Sequence, residues 1–233
     1  MVNKKLKILA IIPARAGSKR LPGKNHKSLF GKPLVQWTIE SAINSKYISH
    51  IVLTSNDHTI LKIGDSFKQV SCLKRSDDLS DDNASSVAVA MDVLDFYPGF
   101  DFFILLQPTS PLRTEYHIDD ALHSVLKNNA RSCVSLCKSN KNPYLMYKVT
   151  QLGNIQPIIN ADNISSSRSQ DLPISYILNG AIYINNVSNF ILTKEFINKE
   201  TIPYIMDSNS SIDIDTIEDF NLAEKIITEN KNL

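Results

Sequence analysis

Not one Asp or Glu occurs among the first thirty-nine of the 233 residues, whereas nine Lys or Arg do. The chain carries 25 basic and 24 acidic residues in all, so a near-neutral total conceals a basic amino-terminal segment and an acidic remainder. A uniformly basic chain would point to nucleic acid or a membrane surface. Positive charge gathered in one segment suits a small polyanion instead, and neither a nucleic-acid nor a membrane partner is expected. Cysteine is scarce: Cys72, Cys133 and Cys137 form an odd set without paired spacing, which argues against a disulfide framework and against a zinc site. No apolar stretch approaches the roughly 20 residues of a membrane span. The apolar run 8–12 behind Lys4, Lys5 and Lys7 is too short for a secretory signal and meets Pro13 and Arg15 at once. The expectation is a soluble, cytoplasmic protein. None of the five histidines forms a His-x-x-x-His pair or neighbours a Gly-x-Ser-x-Gly elbow, which removes support for metalloprotease and hydrolase chemistry. No Gly-x-Gly-x-x-Gly follows a strand pattern, so dinucleotide binding has no support either.

What is present is an alternation of short apolar runs with helical spacing. Segments 8–13, 51–55, 102–107 and 132–136 read as buried strands, and 33–44, 59–67, 84–96 and 115–128 as amphipathic helices, with Pro33 and Glu115 in first turns. This order predicts one α/β domain over 1–233, built on a mainly parallel, doubly wound, Rossmann-like sheet with ligands beyond the carboxyl ends of its strands. Segment 139–177 breaks the pattern with Asn142-Pro143, Gly153 and Ser165-Ser166-Ser167-Arg168-Ser169. It is too long for a structureless loop in a compact domain, and an insertion that packs against something, such as a second subunit, is expected. Regularity returns with a strand at 181–184, a strand end at 211–215 and a closing helix over 216–227 capped by Thr216 or Asp215.

Three constellations can carry chemistry. The first is Pro13-Ala14-Arg15-Ala16-Gly17-Ser18-Lys19-Arg20-Leu21-Pro22-Gly23-Lys24-Asn25, a strand end running into a basic, glycine-containing loop. Backbone N–H groups and cationic side chains at such a turn form a triphosphate cradle. It is not a Walker A motif, because five residues separate Gly17 from Gly23 where four are required and Asn25 stands where Ser or Thr should be. His26 reads as a solvated loop residue. The second is Ser211-Ile212-Asp213-Ile214-Asp215-Thr216, where period two puts both carboxylates on one face. At ~4 Å and an effective dielectric of ~20 they would repel by roughly 4 kcal/mol, which a divalent cation reverses. Oxygen ligands facing phosphate suit Mg2+; helix capping by Asp215 is the equally weighted alternative. The third is Leu105-Leu106-Gln107-Pro108-Thr109-Ser110-Pro111-Leu112-Arg113, a strand ending in a polar turn with Gln107 where side chains reach ligands, or else a purely structural turn.

These blocks, together with Asn179-Gly180-Ala181-Ile182-Tyr183-Ile184, resemble the CMP-sialic acid synthetases (acylneuraminate cytidylyltransferases), in that family's order and over nearly the whole chain. The related 3-deoxy-manno-octulosonate cytidylyltransferases also begin with Pro-Ala-Arg and Leu-Pro-Gly-Lys, but Ser18-Lys19-Arg20 and Lys24-Asn25, with the Ile-Asp-Ile-Asp block, resemble the neuraminate branch more closely. The resemblance implies a nucleotidyltransferase fold, a homodimer formed through the inserted element, CTP and Mg2+ as requirements, and a nonulosonic acid of the N-acetylneuraminic or legionaminic type as second substrate. By matching positions it assigns Arg15, Ser18, Lys19 and Asn25 to the nucleotide and its phosphates. Arg75, Ala84 and Ser86 match the cytidine region, Gln107, Tyr183 and Phe196 the sugar pocket, Arg168 the active-site arginine, and Asp213 and Asp215 the metal carboxylates. Arg15, Lys19, Arg168, Asp213 and Asp215 would be the catalytic set. Nothing near Asn142-Pro143-Tyr144 matches the lysine that some relatives place after the corresponding proline, which leaves Lys141 and Lys148 without a role. The rival enzyme is a sugar-nucleotide pyrophosphorylase; a nucleic-acid-binding module ranks below both, since it gives no reason for the paired aspartates.

Overall fold

The runs of Ile, Leu and Val are the most deeply buried parts of the chain. The computed structural model describes residues 6–81, 84–159 and 171–231. Its first strand, β1 (Ile8–Pro13), keeps Ile8, Leu9, Ala10, Ile11 and Ile12 at 1 % exposure or less. Burial without alternation marks a strand covered on both faces. Two short strands, β2 (Ser28–Leu29) and β3 (Lys32–Pro33), form a hairpin, followed by α1 (Leu34–Asn44), β4 (His50–Ser55), α2 (His58–Asp65) and β5 (Val70–Lys74). Then come α3 (Ser86–Phe96), β6 (Phe102–Leu105), α4 (Glu115–Lys127) and β7 (Ser132–Lys138). A second hairpin of β8 (Tyr147–Val149) and β9 (Ile155–Pro157) precedes β10 (Tyr176–Asn186), α5 (Val187–Thr193), β11 (Ile202–Met206) and α6 (Ile217–Lys231).

The seven-stranded sheet has the order β11-β7-β10-β6-β1-β4-β5. β10 is antiparallel to both of its neighbours, and every other pairing is parallel. Successive residues of β1 point to opposite faces. Ile8, Ala10 and Ile12 pack with Val35 and Ile39 of α1, Ile60 of α2 and Leu122 of α4, whereas Leu9 and Ile11 pack with Val93 and Leu94 of α3 and Phe190 of α5. Each such fully buried side chain contributes about 1.5–3 kcal/mol relative to exposure. A third cluster of Leu29, Leu34, Ile214, Phe220 and Ile227 holds α6 and the loop before it onto the β2–β3 hairpin and α1. No helix among the described residues is long and apolar enough to cross a membrane.

The chain runs from β1 to β4 and β5 on one side and then returns to place β6 on the other. Strand order therefore reverses between β1 and β6, and a crevice opens beyond their carboxyl ends. β1 ends at Pro13, immediately before the basic loop, and β6 ends at Leu105, two residues before Gln107.

The eight elements expected before residue 139 are present with small shifts. The helix expected from Ala84 begins at Ser86 because the Ser85 hydroxyl caps it, accepting from the Ala88 N–H at 3.1 Å. The strand expected to reach Gln107 stops at Leu105, leaving Gln107 in the turn. Residues 211–215 are not a strand: they form an irregular loop with no sheet partner, and Ile214 is buried through the third cluster rather than through a ladder. The cap of α6 is Thr216 and not Asp215, since the Thr216 hydroxyl accepts from the Asp219 N–H at 3.3 Å while Asp219 accepts from the Thr216 N–H at 2.8 Å. β5, α5 and β11 were not anticipated, and β10 extends well beyond 181–184. Within 139–177 the structure contains a 3-10 turn at Pro143–Leu145 and the β8–β9 hairpin.

Candidate active site

Two recesses open at the crevice. One, of about 270 Å³, is lined by Pro13, Arg15, Lys24, Asn25, Arg75, Leu79, Asp81, Ala84, Ser86, Val89, Gln107, Pro108 and Thr109. The other, of about 320 Å³, is lined by Arg15, Ser18, Lys19, Arg20, Lys24, Asn25 and Asp215. Arg15, Lys24 and Asn25 are common to both, so the recesses adjoin across these three side chains. A larger hollow of about 370 Å³ lies among Trp37, Leu112, Arg113, Glu115 and Ile227 and shares no lining residue with either recess. It has two glutamates, Glu40 and Glu115, and no lysine in its lining, a poor match for a polyanion.

The basic loop owes its shape to Gly23, whose φ of +68° belongs to the left-handed region and at which a Cβ would lie 2.7 Å from His26 Nε2. Gly23 starts the 3-10 turn Lys24–His26, which turns Asn25 inward. The Asn25 amide donates to the Arg15 carbonyl at 3.0 Å, tying the two ends of the loop together, and its buried Oδ1 has no protein donor. His26 faces Asp57 at 3.6 Å rather than the recesses. Arg15 Nη1 donates to the Asp81 carbonyl at 3.2 Å. Arg75 is 5 % exposed, donates to the Thr54 carbonyl and hydroxyl, and is pushed down to about 10, chiefly by burial and also by the Arg15 charge. Arg75 remains cationic at neutral pH.

Opposite the basic loop, the acidic loop is fixed to the Gln107 turn by the Ile214 N–H, which donates to the Thr109 carbonyl at 2.7 Å. Asp215 is bridged by Arg20 at 2.7 Å and Lys24 at 3.0 Å, and Lys24 also donates to the Ile214 carbonyl at 2.8 Å. Burial raises the Asp213 carboxyl above its ordinary range, the Asp215 charge raises it further, and a hydrogen bond from Thr109 and the charge of Lys24 act against both. Asp213 lies beside Gly180, where a Cβ would stand 3.7 Å from Asp213 Oδ2 and 3.4 Å from Gln107 Oε1. The φ of +74° at Gly180 makes glycine the fitting residue there, and both side chains lie within van der Waals reach of it. Tyr183 belongs to the same group: burial and the Asp213 charge raise its hydroxyl, and its ring meets Phe196 edge-on at 5.5 Å.

The structure thus brings Arg15, Ser18, Lys19, Asn25, Arg75, Ala84, Ser86, Gln107 and Asp215 to the walls of two adjoining recesses. Asp213, Tyr183 and Phe196 lie along the Gln107 side. Arg168 lies outside the described residues. Sequence reasoning assigned no role to Lys24 or Arg20, the two cations on Asp215. No group of three or more metal-ligating side chains occurs among the described residues. The donor set still fits a cation that takes one or two carboxylates and completes its shell with water and substrate oxygens, since Asp213 and Asp215 are electrostatically coupled carboxylates beside a cationic recess.

A mainly parallel sheet with its strand-order reversal under a basic loop, accompanied by paired carboxylates, defines an α/β protein of the nucleotidyltransferase type. Residues 9–233 match the sequence profile described as cytidylyltransferase, and the chain belongs to that family. A divalent metal is general to the family. The chain is 36 % identical over 218 residues to N-acylneuraminate cytidylyltransferase of Escherichia coli O18:K1:H7, covering 93 % of this chain and 51 % of that protein. It therefore spans about half the length of that relative. It is 35 % identical over 237 residues to CMP-N,N'-diacetyllegionaminic acid synthase of Legionella pneumophila subsp. pneumophila, covering 97 % of this chain and 98 % of that one. Among solved structures, CMP:2-keto-3-deoxy-manno-octonic acid synthetase complexed with CTP shares the fold, with a TM-score of 0.70, 16 % identity and coverage of 96 % of this chain and 99 % of that one.

Proposed function

We propose that this protein activates a nine-carbon 2-keto acid sugar with CTP, giving the CMP-sugar and pyrophosphate. The observation that carries this reading is the pair of adjoining recesses that share Arg15, Lys24 and Asn25 and are lined further by Lys19, Arg20, Asp215 and Gln107, with Asp213 next to Gln107 at Gly180. A triphosphate suits the recess of Ser18, Lys19 and Arg20, and the pyrimidine nucleoside suits the half lined by Arg75, Ala84, Ser86 and Val89. Gln107, Tyr183 and Phe196 then border the space left for the sugar.

In this reading the anomeric hydroxyl attacks the α-phosphorus, the α–β phosphoanhydride bond breaks, and pyrophosphate leaves. Arg15, Lys19 and Lys24 align the phosphates and stabilise the negative charge that spreads in the transition state. Gln107 orients the sugar against that phosphorus. Asp213 and Asp215 would hold Mg2+, which supplies Lewis-acid charge neutralisation at the phosphate when bound. Asp215 is held by Arg20 and Lys24. A triphosphate competes for those cations and releases the carboxylate. Arg168 is assigned to the sugar and phosphates by resemblance, and Arg168→Ala should lower turnover with the fold intact.

The arm formed by the ends of β7 and β10 and the β8–β9 hairpin supports a homodimer. Tyr176, Ile177 and Leu178 are consecutive and all about half exposed, so both faces of the strand are apolar and uncovered, and Val149, Leu152 and Ile155 of the hairpin are 70 % exposed or more. An apolar surface of this extent marks a protein interface. The deciding experiment offers purified protein CTP, Mg2+ and a panel of N-acetylneuraminic, legionaminic, pseudaminic and 3-deoxy-manno-octulosonic acids, with sugar 1-phosphates in a parallel arm, and follows pyrophosphate release. Turnover with one nonulosonic acid supports the reading and names its substrate; turnover only with a sugar 1-phosphate overturns it in favour of a pyrophosphorylase.

A further inference from the structure

Asn179 is buried at 4 % exposure in the irregularity of β10, one residue before Gly180. All of its side-chain hydrogen-bonding capacity is directed at defined partners. Its Oδ1 accepts from the Ser135 hydroxyl of β7 at 2.6 Å and from the Ala181 N–H at 3.2 Å. Its Nδ2 donates to the Ser211 hydroxyl at 2.9 Å and to Met206 Sδ of β11 at 3.3 Å. The Ser211 hydroxyl in turn donates to the Asp207 carbonyl at 2.6 Å. Having given its proton to Asp207, Ser211 can only accept from the partner on its other side. An amide at position 179 satisfies this chain of donors and acceptors, and an aliphatic side chain of similar size does not.

This chain of bonds connects three strands to the loop that bears the carboxylates. Ser211 lies two residues before Asp213, in a segment without a sheet partner of its own. The loop is otherwise fixed at its far end by Ile214 on Thr109 and by Thr216 with Asp219. At its near end, Asn179 holds Ser211 to the bulge that carries Gly180, and Gly180 is the residue packed between Gln107 and Asp213.

We infer that Asn179 is a positioning residue that sets the distance of the Asp213–Asp215 loop from the β10 bulge and thereby the site's capacity for a divalent cation. Asn179 acts through Ser211 and touches neither substrate nor cation. The inference rests on the reading of Asp213 and Asp215 as metal carboxylates.

The test measures Mn2+ binding to CTP-saturated protein by water-proton relaxation, alongside CTP affinity without metal by calorimetry. Ser211→Ala and Asn179→Ala should each need about tenfold more Mn2+, the effect of one or two misdirected buried hydrogen bonds, with CTP affinity changed less than about twofold. Ser211→Thr keeps the hydroxyl and should restore the parent value. Val93→Ala, a core change on α3 remote from the loop, controls for a general loss of stability and should leave Mn2+ binding unchanged. Ser211→Ala leaves the buried amide in place, so it carries the test if Asn179→Ala does not fold. Parent-like Mn2+ binding in Ser211→Ala, or equal weakening in Val93→Ala, overturns the inference while the metal assignment stands. A parent protein that binds CTP but no Mn2+ removes the metal assignment and this inference with it.

Discussion

The crevice at the ends of β1 and β6 and the arm built from β7, β10 and the β8–β9 hairpin are opposite kinds of surface. The crevice is concave and lined by Arg15, Lys19, Arg20 and Lys24. Arg15, Arg20 and Lys24 are tied to backbone carbonyls or to Asp215. The arm projects from the core, and its Val149, Leu152 and Ile155 are largely exposed. Preorganised charge in a recess recognises a small polyanion because little reorganisation is needed on binding. Exposed aliphatic area recognises another protein surface because its gain comes from leaving water.

Substitutions can set the two regions against each other. The largest expected effect is in the crevice: Asp215→Ala should lower metal-supported turnover by about 10²–10³-fold, the scale of losing a preorganised electrostatic contact to the transition state, as read by pyrophosphate release across a Mg2+ titration. Lys19→Ala should reduce kcat with CTP by a factor on the order of 10²; unchanged steady-state kinetics would return Lys19 to the solvated surface. Lys24→Ala should cost about as much, because it removes a cation shared by both recesses and a bond to the Ile214 carbonyl. The arm calls for a different measurement. Val149→Lys combined with Ile155→Lys should turn a dimer into a monomer in sedimentation, with CTP affinity changed by less than about twofold, since these residues do not line either recess.

The smallest effect concerns stability and carries a definite sign. The folded protein raises the Asp213 pKa above its unfolded value, so the cost of ionising Asp213 builds up as pH rises from the unfolded value through the raised one. Asp213→Asn should therefore modestly raise the melting temperature of the ligand-free protein at pH 7, and the difference should vanish as pH falls below the unfolded carboxylate pKa. The same variant should lose metal-supported turnover. A lower melting temperature at pH 7 would show that Asp213 is held by favourable interactions and would place the strain elsewhere.

The legible parts of the chain were those in which the deciding forces are local. Strand β1 declares itself through an unbroken apolar run, and the basic loop through its charge and Gly23. The elements that escaped notice have weak local signals: β5 is an edge strand only partly buried along its length, β11 contains Pro203 and alternates at the other edge, and α5 has only seven residues. The period of two at 211–215 points to a strand end, yet that loop is set by Ile214 entering a side cluster and by contacts to Thr109 and Asn179. Lys24 was visible as a residue but not as a bridge, because its partner Asp215 is 191 positions away. Burial of Arg113 at 1 % exposure was equally hidden; it donates to the carbonyls of Gln107 and Ala181, and burial pushes it down to about 9.

Strand β10 runs against the direction of its neighbours, and so its first residues lie in the arm while Asn179, Gly180 and Tyr183 follow at the crevice. A partner gripping Tyr176, Ile177 and Leu178 and a sugar resting near Gly180 would act on one continuous strand, only a few residues apart. Thermodynamic reciprocity then applies: whatever factor sugar binding adds to self-association, self-association adds to sugar affinity. On the proposed dimer and substrate, dilution becomes an experimental variable, because the apparent affinity for the acid then follows how much of the chain is paired.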